Sequence, residues 1–146
     1  MRFGTLKTIL ASMGAGFLVT VILYFPVIRP WNLTWGATDE EVVRPMPGDA
    51  LVTDPSFDST RAVSIDAAPD QIWPWIVQMG YGRAGFYSYD RLDNAWVPSA
   101  ERIIPEYQNL SVGDTVPVDC ANAVTVTAME ENRSMVWKFH SDATWA

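Results

Sequence analysis

The chain's 146 residues suit one domain with a small appendage better than two domains. Ten basic residues stand against 17 acidic ones; three of the ten (Arg2, Lys7, Arg29) fall in the first thirty residues, where no acid occurs, and the acidic remainder has no Lys/Arg cluster, which argues against nucleic acid as a partner. One Cys and one His exclude an intrachain disulfide and a two-His or Cys/His zinc set, and leave a Ser-His-Asp arrangement open only through His140.

From Thr8 to Ile28 the sequence TILASMGAGFLVTVILYFPVI carries no charge. As a helix it rises about 31 Å, close to the hydrocarbon thickness of a bilayer. Its strongly apolar members, at about −0.3 to −0.6 kcal/mol each, supply roughly −3 to −6 kcal/mol for insertion. Ser12, Gly14, Gly16 and Thr20 return some of that. Pro26 sits near the end, where a kink costs little. The stretch is long for the core of a cleaved signal peptide, and no small-x-small site follows it directly, so an uncleaved anchor is expected. No polar face exists to suit a buried soluble helix. The pairs Ala11/Ala15 and Ser12/Gly16 have the spacing that packs two such helices. Tyr24, Trp31 and Trp35 fit an interfacial aromatic belt. Arg2, Lys7 and the α-amino group before the segment nearly balance Arg29 and Arg44 after it; the expected orientation is N-terminus inside, body outside.

Residues 30–59 read as an extended lead-in, punctuated by Pro30, Pro45, Pro47, Pro55, Gly36 and Gly48. Thr38-Asp39-Glu40-Glu41 has the form of a capping box and starts a short helical stretch stopped by Pro45. The loop lacks the count and spacing of oxygen ligands for calcium. No metal and no cofactor is expected.

Thr60–Asp66 alternates apolar and small or polar residues and predicts a strand. Pro69 then suits the first position of a helix. Ile72, Trp73, Ile76, Val77 and Met79 form its apolar face. Pro74 predicts a kink or an irregular turn, and Gly80 the end. Gly80, Gly82 and Gly85 match GxGxxG literally. The run leaves a helix instead of joining a strand to one, so positive-φ loop glycines are the expected reading, not a phosphate loop. Arg91–Val97 reads as a second short helix with Leu92, Trp96 and Val97 inward. Asp90 and Asp93 would share its face, with Arg83 and Arg91 as partners. A short extended piece at Arg102–Pro105 follows. Gly113-Asp114 then turns into a strand at Thr115–Val118. Val124–Met129 and Ser134–Phe139 form a hairpin, and Ala143–Ala146 a further strand.

The order of these features carries a resemblance. The run Asp66-Ala67-Ala68-Pro69-Asp70-Gln71-Ile72-Trp73-Pro74-Trp75-Ile76, then Gly82-Arg83-Ala84-Gly85-Phe86-Tyr87-Ser88-Tyr89-Asp90, then a β-meander resembles the START/Bet v 1-like (SRPBCC) superfamily in its polyketide cyclase/dehydrase and lipid-transport branch. Trp35–Glu41 and Pro47-Gly48-Asp49 are similar to bacterial members with an N-terminal hydrophobic helix. The resemblance covers about residues 31–146. It implies an α+β helix-grip fold over residues 60–146: a curved antiparallel sheet gripping a long C-terminal helix, with a cavity between them and two short helices closing one end. The family's last strands and long helix are not present in this sequence, so a partial domain is expected. Val63, Ile65, Val126, Val136 and Trp137 are then expected to lack partners on one face.

The resemblance implies a membrane-anchored binder of an apolar small molecule or lipid, in a bacterial inner membrane with the body outside the cytoplasm. Its ligand residues would be Trp73, Arg83, Phe86, Tyr87, Tyr89, Trp96 and Trp137, in an aromatic-lined pocket. The Gly82–Asp90 loop is expected at the pocket mouth, with Tyr87 or Tyr89 offering a hydroxyl. A cyclase/dehydratase-like enzyme is the alternative. Its acid or base would come from Tyr87, Tyr89, Asp90, Arg83 or His140. A Cys120–His140 dyad is a weaker option, since Cys120 reads as an inert thiol. A fragment whose missing half another chain supplies is the third reading.

Overall fold

The computed structural model describes residues 2–141 and 143–146, with side chains from Thr8 onward. Met1, whose α-amino group entered the charge balance above, and Asp142 lie outside the described residues. The architecture is α+β: a long N-terminal apolar helix and a four-stranded antiparallel sheet. The chain divides into two compact units, Met1–Arg44 with Ser56–Ser64, and Pro45–Pro55 with Ile65–Ala146.

In the first unit, α1 (Arg2–Leu23) runs into a wider π-helical turn (Tyr24–Ile28) and then α2 (Arg29–Leu33). The turn has a cause in Pro26. Proline cannot donate to the carbonyl four residues back, and its ring crowds that carbonyl. Widening the ladder to a five-residue step relieves the clash. The Arg29 amide accordingly bonds the Tyr24 carbonyl. The helix therefore continues past Ile28, where the uncharged stretch ends, and the helical span runs over Thr8–Leu33 with Arg29 and Asn32 in its last turn. At 26 residues it measures about 39 Å, enough to cross a bilayer with tilt. Its described apolar side chains are exposed from Thr8 to Ile28.

Thr38 caps α3 (Asp39–Val42) as expected: the Glu41 amide donates to the Thr38 hydroxyl, and the Glu41 carboxylate accepts from the Thr38 amide at 2.8 Å. Those bonds from Thr38 hold the Glu41 carboxyl below its ordinary pKa, slightly opposed by desolvation and helped by Arg44.

The expected strand at Thr60–Asp66 does not form. Ser56–Ser64 instead folds back on Trp31–Ala37. Arg61 grips Asn32 through two bonds of 2.7 Å, to its carbonyl and to its side-chain oxygen, and the Ala62 amide bonds the Trp35 carbonyl. Gly36 makes that approach possible: a Cβ there would stand 2.0 Å from the Ala62 carbonyl oxygen. The alternation of Ala62 and Ser64 with Val63 and Ile65 is that of an extended segment tied by a side chain, and Val63 and Ile65 stay exposed.

In the second unit, α4 (Pro69–Val77) and α5 (Asp90–Asp93) precede β1 (Thr115–Pro117), β2 (Ala123–Glu130), β3 (Ser134–Lys138) and β4 (Thr144–Trp145), joined as a simple meander. One sheet face carries Val116, Val124, Val126, Met135 and Trp137 onto Val77 and Leu110, with Trp73, Ile76, Met79 and Phe86 at the margin. Val126, Val136 and Trp137 are thus buried, contrary to the expectation that they would lack partners. Val136 points to the opposite face and is covered there by Gly48: a Cβ on Gly48 would lie 2.8 Å from a Val136 methyl. A bulge at Thr127 shifts the register, so that Val126 faces Trp137 but Ala128 faces Val136.

Carbonate extraction of membranes is expected to leave the intact chain in the pellet. Val19→Arg, which puts a charge at a cost of about 2.5–3.5 kcal/mol into the apolar stretch, should move part of it to the supernatant. Release of the unaltered chain would show that the helix does not anchor it.

Candidate functional site

The site begins at the C-terminus of α4. Pro69 occupies the first helical position after Ala68, as the sequence suggests, and the Gln71 side chain accepts the Ala68 amide. Alanine offers no side-chain acceptor, so only that half of a capping box exists. The helix runs through Pro74 and stops at Val77, before Gly80. Its last carbonyls lack helical partners, and side chains from later segments supply them. Gln108 donates to Pro74 O at 3.1 Å, and Arg83 Nη2 to Val77 O at 3.1 Å.

Gln78, which caps the helix, is fully buried. Its Nε2 donates to the Tyr87 hydroxyl at 2.5 Å and to Arg102 O at 3.1 Å. Its Oε1 accepts from the Ile104 amide at 2.9 Å and from Gln108 Nε2 at 3.3 Å. Both donors and both acceptor positions of the carboxamide are used. Asn94, the other buried polar residue, pins the next loop by accepting the Gly82 amide and donating to Val97 O.

The glycines of the GxGxxG match have steric tasks. Gly80 and Gly85 exchange amide–carbonyl bonds across a tight loop. A Cβ on Gly80 would meet a Val116 methyl at 2.8 Å, and one on Gly85 would meet the Ser99 hydroxyl at 2.3 Å. Both have positive φ. The loop packs against its own protein, in keeping with the non-phosphate reading.

Arg83 is half-buried. Besides Val77 O, its Nη2 donates to Tyr107 O at 3.3 Å, and its guanidinium lies 4.6 Å from the Tyr107 ring centre. Nε is buried without a partner. Desolvation lowers the Arg83 pKa, while Tyr107 and Asp114 act to raise it. The group lines an open polar cleft of about 320 Å³ with Glu106, Tyr107, Asn109, Asp114 and Thr115.

The seven expected ligand residues do not converge on that cleft; Arg83 alone lines it. Trp73, Phe86 and Trp137 pack in or against the core, and the buried Trp137 indole N–H has no partner. The Tyr87 hydroxyl accepts from Gln78 Nε2, and its ring sits edge-on to Trp75. Tyr89 and Trp96 are exposed. Leu92, Trp96 and Val97 do not turn inward. The helix stops at Asp93, Ala95 and Trp96 take positive φ, and Arg91 stacks on Trp96 at 4.1 Å. Arg83 and Arg91 are thereby engaged elsewhere, and neither pairs with Asp90 or Asp93; Asp90 accepts the Ser99 hydroxyl at 2.5 Å instead. Cys120 and His140 are both exposed.

Sequence reasoning passed over Gln78, Asn94, Tyr107 and Asp114. For Gln78 a signal existed: it is a polar residue between Val77 and Met79 on a helix face otherwise apolar. No family model, no curated protein and no solved structure matches this chain.

Removing the Tyr87 hydroxyl strands a buried Gln78 donor, which costs about 1–3 kcal/mol. Tyr87→Phe is expected to lower the urea midpoint of the full chain in mild detergent, read by Trp fluorescence. Gln78→Ala should lower it further, because several partners are then unpaired. An unchanged midpoint in both would show that the network carries no stability.

Proposed function

We propose that the chain is a single-pass membrane protein whose second unit binds an apolar small molecule or a lipid. The observation that carries this reading is the exposure of Tyr89, Leu92, Trp96 and Val97 (76%, 86%, 67% and 56%) within one nine-residue stretch. Apolar side chains clustered at such exposure mark a surface that meets something apolar. Tyr89 lies in the Gly82–Asp90 loop, where the ligand would enter, and the other three follow directly on it. The exposed apolar stretch Thr8–Ile28, within the helical span Thr8–Leu33, supports the anchor, with a bacterial inner membrane and an extracytoplasmic body as the arrangement in view.

The order of two short helices followed by an antiparallel meander supports the START/Bet v 1-like assignment and its helix-grip fold. On this reading the aromatic residues Trp73, Phe86 and Trp137 form the floor beneath the ligand, and Tyr89 and Trp96 its rim. Arg83 stands apart from both.

Native mass spectrometry of the full chain, released from a mild detergent, is expected to retain an apolar adduct. Leu92→Ala combined with Trp96→Ala alters exposed positions and should lower adduct retention severalfold without shifting the urea midpoint. A chain that carries no adduct and takes up no fluorescent fatty-acid probe saturably would refute the reading.

A further inference from the structure

We propose that the polar cleft beside Arg83 is a binding site for a small zwitterion, a molecule with an oxyanion at one end and an ammonium group at the other. The inference does not rest on the apolar-ligand reading, since the cleft shares only Arg83 with the residues named for it.

The argument begins with an unpaired cation. A half-buried guanidinium is costly unless a counter-charge or a full set of hydrogen bonds compensates it. Arg83 uses Nη2 on two carbonyls, while among the described residues Nη1 bonds nothing and the buried Nε has no partner. No carboxylate forms an ion pair with it among the described residues. Its plane is held by the Tyr107 ring, so the fork is oriented before a ligand arrives. Nη1, the guanidinium nitrogen left both uncommitted and unburied beside the open cleft, offers a charge-assisted donor to a carboxylate or phosphate oxygen.

The rest of the lining sets the second half of the ligand. Glu106 and Asp114 face the same cleft. The Glu106 side chain has no hydrogen-bond or ionic partner among the described residues, and Asp114 commits one oxygen to the Ser111 amide. Two carboxylates against one guanidinium repel a simple anion. A molecule bearing both signs satisfies all three groups. The cleft's volume, about 320 Å³, is at the lower end for ligand sites and suits a headgroup-sized molecule. Such chemistry has two sources, a free metabolite or the headgroup of a zwitterionic lipid.

The test is calorimetric titration of the full chain in maltoside micelles with O-phosphoethanolamine, inorganic phosphate and ethanolamine. Saturable binding of O-phosphoethanolamine is expected, about tenfold or more tighter than either half-molecule. Arg83→Gln should abolish it. Because Arg83 also holds Val77 O and Tyr107 O, the decisive variant is Glu106→Gln, at an exposed residue that bonds nothing. It should weaken O-phosphoethanolamine about threefold and leave phosphate equal or tighter. Phosphatidylethanolamine doped into the micelles distinguishes the sources. Displacement assigns the site to a headgroup, and its absence to a free zwitterion; either result upholds the site. The proposal is overturned if O-phosphoethanolamine does not bind saturably, if Glu106→Gln changes neither affinity, or if phosphatidylglycerol displaces the probe equally well.

Discussion

Gln78 stands where α4 ends, with no exposed surface and four hydrogen-bonding positions to satisfy. Water cannot serve them, so protein must. The partners come from Tyr87, Arg102, Ile104 and Gln108, all in segments with little regular structure of their own. Each buried amide group left unpaired would cost about 1–3 kcal/mol. That penalty selects one arrangement of loops 80–89 and 100–110 over the many a flexible chain would sample. Gln108 also completes the helix by bonding Pro74 O. A short helix with an internal proline is thus finished by residues thirty positions later.

The sheet depends on a related economy of small residues. Three successive positions of β3 (Met135, Val136 and Trp137) are buried, which an alternating strand allows only when both faces are covered. The core under α4 covers one face. On the other, Gly48, with φ of 101°, lets the 45–55 segment lie directly on Val136. The Thr127 bulge re-aims β2 so that Val126 stays on the core side while Ala128 meets Val136. A segment that looks like linker in the sequence therefore belongs to the second unit's packing.

What the sequence made legible follows the range of each interaction. The apolar helix, the Thr38 box, Pro69 at the start of α4 and the 124–139 hairpin rest on contacts within a few residues, and periodicity or capping chemistry reveals them. The 60–66 strand failed because alternation says that a segment is extended, not what it pairs with; Arg61 bound to Asn32 decided that from 29 residues away. Leu92, Trp96 and Val97 failed for a similar reason. Their apolar character is plain, but the end of α5 at Asp93 and the positive φ at Ala95 and Trp96 leave no mark in hydropathy. Of the site, only Arg83 was singled out in the sequence, as a residue that the family resemblance implies and as a partner for Asp90 or Asp93. Tyr107 and Asp114 reach it only through the fold.

Arginine at position 83 serves two ends that lysine would not. One side of its fork, Nη2, bridges the last carbonyl of α4 and the Tyr107 carbonyl, and the plane rests on the Tyr107 ring. An ammonium is a compact point charge without that planar reach. Nη1 is left uncommitted among the described residues, in a protein where acids outnumber bases by seven, so a shortage of carboxylates is not the reason. Desolvation lowers the Arg83 pKa and Asp114 lies close enough to oppose that shift, yet it bonds the Ser111 amide and forms no ion pair with the guanidinium. The fold thus holds opposite charges apart across a cleft when they could have been brought together. Separation of that kind is costly, and a molecule carrying both charges would relieve it.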